Sequence, residues 1–71
     1  MAYDVLKEFG RRIQRLRLER GISQERLAYQ VGVHRTYMGF IERGERNPTL
    51  GNVAKISRTL GVSLEQLFRG L

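Results

Sequence analysis

The stretch QERLAYQVGVHRTYMGFIER, residues 24–43, predicts two short helices that cross around a tight turn. Residues three and four positions apart share one face of a helix, so apolar residues at that spacing mark the side that packs inward. Such a stripe runs through both halves of the stretch, at Leu27, Ala28, Val31, Met38 and Ile41. Ala28 is small where a larger side chain would hold the helices apart, and Gly32 between the halves tolerates a positive φ.

The predicted outward face of the second helix is polar and aromatic. It carries Arg35, Thr36, Gly39, Phe40 and Arg43. The major groove of DNA is wide enough to admit an α-helix, and its base edges offer hydrogen-bond partners to such side chains. The pattern therefore indicates a helix that fits against a duplex.

Caps and glycine stops place three more helices around this pair. Gly21 and Gly61 each end an apolar-periodic segment, while Thr49 and Ser63 are N-cap residues, the latter in a capping box with the glutamine that follows it. The five predicted helices cover about residues 4–20, 23–31, 34–43, 49–60 and 64–69. No alternating strand pattern appears, so we expect an all-α, compact five-helix fold that forms one domain, residues 1–71.

The charge balance points to a polyanionic partner. Thirteen lysine and arginine residues against seven acidic ones give a net charge of +6, and the isoelectric point is near 10.8. Eleven of the thirteen are arginine, whose planar fork suits phosphate and guanine. Nucleic acid is therefore the favoured partner, and a solvated cationic surface is the open alternative.

Composition excludes several other classes. The chain has no cysteine and one histidine, so we expect no disulfide, metal site or cofactor. No apolar run approaches the roughly 20 residues that span a bilayer, and the N-terminus lacks the layout of a signal peptide, which predicts a cytoplasmic protein without a membrane partner. Neither a nucleophile with a base at plausible spacing nor a glycine loop for phosphate is present. We therefore expect neither an enzyme nor a small-molecule sensor.

Three segments carry a family resemblance: GISQERLA at 21–28, IERGERNP at 41–48 and LGVSLEQLF at 60–68. Over nearly its whole length the chain resembles the phage-repressor and Cro-like helix-turn-helix family. Its size and the string HRTYMGFIERGERN at 34–47 are most similar to the small controller proteins of restriction-modification systems. The resemblance implies a lambda-repressor-like domain that regulates transcription as a homodimer on a pseudo-palindromic DNA operator. A protein-binding antitoxin or coactivator-type module of the same fold is the alternative.

The resemblance places base contacts near the start of the third helix. Arg35 and Thr36 occupy base-contacting positions, and an arginine that bridges guanine N7 and O6 contributes about 1–3 kcal/mol of discrimination. The alternative for Arg35 is a phosphate clamp without base specificity. Tyr37 packs against the sugar-phosphate wall or supports the helix. Gly39 allows close approach to the duplex, and Phe40 touches thymine methyl groups or packs beneath the following loop.

The resemblance and the charges also predict contacts to the DNA backbone. Gln24 matches a residue that holds a phosphate at a helix N-terminus, or it touches only water. Arg17 matches an arginine that pairs with Glu42, either as a purely structural bridge or while also reaching phosphate. His34 is a cap or surface residue that can contact phosphate. The full predicted set is Arg17, Gln24, His34, Arg43 and Arg46, of which the last two flank the exit loop.

The C-terminal segment, about residues 62–71, is richer in apolar residues than one small core requires. These residues are Leu64, Leu67, Phe68 and Leu71. We assign them to a twofold dimer contact; the alternative is that they close the core of the monomer, Leu64 and Leu67 in particular. Two copies would present their third helices to successive major grooves about 34 Å apart.

Overall fold

Five helices joined by short turns make up residues 4–71, the part of the chain that the structure, a computed structural model, describes. They are α1 (Val5–Glu19), α2 (Gln24–Val31), α3 (Arg35–Glu42), α4 (Leu50–Leu60) and α5 (Leu64–Phe68). No strand occurs within that range. The predicted all-α fold of five helices is confirmed. The first, third and fifth helices each end one residue before the predicted bound; after α5, Arg69 has a ψ of 125° and begins a turn.

Each helix begins at a side chain that accepts a hydrogen bond from the first turn. The five N-cap residues are Asp4, Ser23, His34, Thr49 and Ser63. Gly32 and Gly61 end α2 and α4 in the left-handed region, with φ of 87° and 71°. Short-range sequence signals therefore set the helix boundaries, because caps and left-handed glycines satisfy the backbone groups that a helix end leaves without partners.

All five helices contribute to one hydrophobic core. The buried apolar residues are Phe9, Ile13, Leu16, Leu27, Ala28, Val31, Met38, Ile41, Val53, Ile56, Leu60 and Leu67. The inward stripe predicted for α2 and α3 lies in this core. The helix-turn-helix pair α2 and α3 thus stands on a support formed by the other three helices.

Two glycines let α1 approach the C-terminal end of α3, a feature that the sequence patterns did not indicate. A Cβ atom added to Gly10 would lie 2.6 Å from the carbonyl oxygen of Ile41, and one added to Gly44 would lie 2.7 Å from the Cα of Lys7. Real Cβ atoms do not approach backbone so closely. Gly44 also has a φ of 74°, which glycine adopts readily because it lacks a Cβ atom. Backbone-to-backbone packing therefore fixes α3 against α1.

Arg12 of α1 and Arg20, the residue directly after α1, close the C-terminal ends of two other helices. The Arg12 guanidinium donates to the carbonyl oxygens of Gln66 at 3.0 Å, Leu67 at 3.2 Å and Arg69 at 2.7 Å. Arg20 donates from Nε to the carbonyl oxygen of Leu60 at 2.5 Å. A cation at a helix C-terminus satisfies carbonyls that lack partners and interacts well with the helix dipole. Part of the arginine excess therefore serves the fold.

Candidate nucleic-acid interface

The candidate interface is built on α3, which packs across α2 through a turn of three residues. Val33 lies in that turn, half-buried against the core, and its amide donates to the carbonyl oxygen of Ala28 at 3.0 Å. Ala28, Met38 and Ile41 are almost completely buried where the helices meet. This close crossing fixes the direction of α3, so its outer face moves as one body with the core.

The N-terminal turn of α3 is open to solvent. Arg35 and Thr36 are both exposed, and the Arg35 side chain, 65% exposed, has only a loose ion pair with Glu25, whose carboxylate oxygen is 3.6 Å from Nη1. Exposed pairs of this kind contribute little free energy. The pair therefore leaves the Arg35 guanidinium able to turn toward another acceptor, as the predicted base contact requires.

His34 caps α3, as one of its two predicted roles requires. Its Nδ1 accepts a hydrogen bond from the backbone amide of Thr36 at 3.0 Å. Because Nδ1 is used as the acceptor, Nε2 is the ring nitrogen left for another partner. The ring is exposed, and Nε2 is the atom that can donate to a phosphate oxygen beside the first turn of α3.

Tyr37 is half-buried and packs against the core, which matches its predicted role as a support for the helix. The predicted outward position of Gly39 is wrong, because this residue is buried. A Cβ atom added to Gly39 would lie 3.1 Å from Nη1 of Arg43 and 3.5 Å from Oε1 of Gln24. Two long side chains therefore cover Gly39, and direct approach of its backbone to a duplex would first require them to move aside.

Phe40 is half-buried beside two arginines. The guanidinium carbon of Arg43 lies 5.3 Å from the ring centroid, and that of Arg46 lies 5.2 Å from it. Both distances are within the range of cation–π attraction. Arg43 is also held by Glu45, with Nε 3.2 Å from a carboxylate oxygen. Both predicted phosphate-binding arginines are thus gathered at one aromatic ring near the C-terminal end of α3.

The prediction that Arg17 contacts phosphate requires a correction. Its side chain is 9% exposed and forms a two-point bridge to Glu42, with Nε to Oε2 at 2.8 Å and Nη2 to Oε1 at 3.0 Å. Nη1 donates to the carbonyl oxygen of Ile22 at 3.0 Å. All three guanidinium nitrogens of Arg17 are engaged within the protein. Of the two roles that the sequence left open, Arg17 therefore has the purely structural one and not the additional contact with phosphate.

Gln24 is tied to the same carboxylate, since its Nε2 donates to Oε1 of Glu42 at 3.1 Å. The bridge therefore extends from α1 through the last turn of α3 to the first turn of α2. A carboxylamide has two N–H groups, so one remains for a phosphate at the N-terminus of α2. The network orients Gln24 for the predicted backbone contact, which stays a prediction.

The predicted dimer residues divide into two groups. Leu67 is completely buried in the core and Leu71 is half-buried against it, so the assignment of Leu67 to a dimer surface is wrong. Leu64 and Phe68 are 40% and 42% exposed. Phe68 stacks on Phe9, with ring centroids 5.3 Å apart.

Two exposed apolar residues outside the predicted segment lie near Phe68. Val5 is 47% exposed and Leu50 is 75% exposed, and both line a shallow groove with Pro48 and Phe68. Sequence patterns missed them because Val5 and Leu50 lie in the first turns of α1 and α4, far from the C-terminal segment in which the apolar surplus was recognised. The signal that could have found Leu50 is a large apolar residue at the first position of a helix.

Comparisons with known proteins agree with this architecture. A family model described as helix-turn-helix matches residues 13–67. Control protein C.BamHI from Bacillus amyloliquefaciens is 47% identical over 60 residues, which cover 83% of this chain and 74% of that protein. Control protein C.MunI from Mycoplasma sp. is 44% identical over 66 residues, which cover 92% of this chain and 89% of that protein.

The backbone of this chain is also similar to that of a solved structure. The restriction-modification controller protein C.AhdI from Aeromonas hydrophila is 42% identical and superposes with a TM-score of 0.89, covering 93% of this chain and 100% of that one. Within residues 4–71, no helix has the length and apolar character to cross a bilayer. Together, the matched residues and the shared backbone show that this chain belongs to the helix-turn-helix family, with restriction-modification control proteins among its relatives.

Proposed function

We propose that this chain is a DNA-binding transcription regulator that acts as a homodimer on a pseudo-palindromic operator, as an autoregulatory controller of a restriction-modification system. One observation carries the proposal: Arg35 and Thr36 are exposed at one end of α3, while Glu42 at the other end is buried in an ion pair. A helix held in this way keeps its exposed end at a fixed angle to the core, as base recognition requires. The names of the relatives support the regulatory role.

We assign the base contacts to Arg35 and Thr36. Arg35 can bridge guanine N7 and O6 with two hydrogen bonds, and the Thr36 methyl group can pack against a thymine methyl. Tyr37 supports the helix from its half-buried position against the core. Phe40 is not assigned to bases, because two guanidinium groups lie over its ring.

The backbone contacts flank the base contacts on both sides. Gln24 and His34 would hold phosphates near the N-terminal ends of α2 and α3, whereas Arg43 and Arg46 would hold phosphates beyond the C-terminal end of α3. Contacts at both ends of a helix fix its register along the groove without carrying sequence information. Base specificity then depends on the first turn of α3.

We assign the dimer contact to the exposed apolar residues Val5, Leu50, Leu64 and Phe68. They come from α1, α4 and α5, whereas the proposed DNA contacts come from α2, α3 and the loop that follows α3. A domain of this size gains little net stability from one small core, so covering exposed apolar area with a second copy is favourable. A twofold axis through this surface would give the two α3 helices the same relation to each half-site.

The proposal is tested by selecting duplexes from a random pool with the full chain, and by sedimentation of free and bound protein. We expect an inverted repeat whose half-sites are about one helical turn apart, bound by two chains. Affinity should fall steeply with salt, with a slope of roughly −0.9 for each phosphate neutralised. The expected place of action is the cytoplasm, where such an operator is accessible.

Two outcomes would contradict this function. One is the selection of duplexes without inverted symmetry, which would remove the homodimeric operator complex. The other is the absence of preference among duplexes together with salt-resistant binding to a protein, which would indicate an antitoxin or coactivator-type module of the same fold.

A further inference from the structure

We propose that Phe40 is a positioning residue, which holds Arg43 and Arg46 together as one phosphate clamp at the C-terminal end of α3, and that Gly39 provides the space for this clamp. The inference rests on the proposed binding of DNA and names how one part of that interface is organised. It replaces the expected close approach of Gly39 to the duplex, and it differs from both roles that the sequence left open for Phe40, contact with thymine and packing beneath the loop.

Two groups of like charge lie over the Phe40 ring. The guanidinium carbons of Arg43 and Arg46 are 5.3 Å and 5.2 Å from the Phe40 centroid. Like charges repel at short range, and the negative face of an aromatic ring offsets part of that repulsion. Phe40 is therefore placed where an aliphatic residue would fill the volume but would not attract either cation.

The charges around the ring do not cancel. Glu45 is 3.2 Å from Nε of Arg43 and contributes one negative charge, whereas the two arginines contribute two positive charges. The Arg43 side chain is 56% exposed. An excess positive charge held near solvent is suited to an anion such as a DNA phosphate, and it is held before the anion arrives.

The lack of a side chain at Gly39 leaves space for Arg43 to lie along the helix. Glycine is unfavourable within a helix, yet this one sits one residue before Phe40 in α3. Nη1 of Arg43 occupies the space 3.1 Å from the position a Cβ would take, and Oε1 of Gln24 lies 3.5 Å from it. The missing side chain lets Arg43 reach back across α3 toward the proposed phosphate contact at the start of α2.

The structural alternative is that Phe40 only fills space at the edge of the core. A double-mutant cycle separates positioning of the arginines from space filling. If Phe40 positions Arg43 and Arg46, its effect on binding requires both arginines, whereas an effect of packing does not. We would measure the DNA affinity of four proteins: the wild type, Phe40→Leu, the double variant Arg43→Gln/Arg46→Gln, and the triple variant. Each protein is tested with the operator obtained by selection and with a duplex altered at the base pairs assigned to Arg35 and Thr36.

For Phe40→Leu we expect about tenfold weaker binding to both duplexes, a shallower dependence of affinity on salt, and unchanged base preference. Phe40→Trp should keep the affinity of the wild type, since the ring of tryptophan attracts cations most strongly. In the background without the two arginines, Phe40→Leu should change affinity by less than about twofold. Urea unfolding of each variant identifies any loss that comes from the fold.

The results overturn the inference if Phe40→Leu weakens binding equally with and without the two arginines, or if it changes the base preference. Absence of duplex binding by the wild type would instead refute the proposed function, so the two failures are distinguishable. Gly39→Ala gives an independent readout: it should leave the free energy of unfolding equal or higher while binding weakens about threefold or more. Unchanged affinity in this variant would also overturn the inference.

Discussion

The two ends of α3 are built in opposite ways. At its start, Arg35 and Thr36 are exposed: the His34 cap accepts a hydrogen bond from the Thr36 amide, and the Arg35 side chain has a loose ion pair with Glu25. At its end, Glu42 is buried with Arg17, and the backbone of α3 touches Gly10 of α1. A small domain can thus combine a fixed direction with accessible side chains: the core holds one end of α3, and the end proposed to contact bases keeps its side chains exposed.

The largest expected effect comes from breaking the fixed end. Glu42→Gln leaves the buried Arg17 guanidinium without a counter-charge, which should lower the free energy of unfolding by about 3–5 kcal/mol. Urea or thermal unfolding measures the loss. The matched control is Glu25→Gln, which removes the exposed partner of Arg35 and should cost less than about 0.5 kcal/mol. Equal stabilities for the two variants would refute the difference between the ends.

Gly10→Ala tests the backbone approach at the same end. The added methyl group would meet the carbonyl oxygens of Ile41 and Glu42, so the helices must separate. We expect a loss of about 1–3 kcal/mol in unfolding experiments, together with weaker DNA binding. Gly51→Ala is the control, because no atom lies closer than 3.9 Å to its added Cβ, and it should be neutral or slightly stabilising. A stable Gly10→Ala variant would mean that α1 and α3 do not need this close crossing.

Arg35→Ala probes the open end through DNA rather than stability. Preference at one base pair of each half-site should fall by about 1–3 kcal/mol, and unfolding should change by less than about 0.5 kcal/mol. Binding to the selected operator and to duplexes altered at single positions measures the preference. Equal loss of affinity for all duplexes would show that Arg35 contacts only the backbone.

The smallest expected effect is the loss of the cap. His34→Ala removes the acceptor for the Thr36 amide and should cost about 1 kcal/mol of unfolding free energy. His34→Asn supplies another good cap and should recover most of that stability. If the imidazole also donates to phosphate, the asparagine variant keeps its fold and binds operator more weakly than the wild type. Identical stabilities of the alanine variant and the wild type would contradict the capping role.

Sequence patterns predicted the local part of the interface well. The close pairing of α2 and α3 and the His34 cap are present in the structure. The Arg17–Glu42 pair, which joins distant parts of the chain and was implied by the family resemblance, is present as well. The patterns placed Gly39 outside, because a helical wheel reports the direction of the missing side chain and not what neighbouring residues do with the space. They also counted Leu67 as surplus, since nothing local shows that α5 folds this residue into the core.

Caps, glycine stops and periodicity act within a few residues, so the order of amino acids was enough to predict where the helices begin and end, which faces turn inward and which family the chain resembles. The division of the arginines between the fold and a partner, in contrast, depends on how the helices pack. Arg12 reaches carbonyl oxygens 54 to 57 positions away, and Arg17 reaches a carboxylate 25 positions away. Such acceptors come within reach only when the helices pack, so charge composition cannot distinguish an internal clamp from a side chain available to DNA.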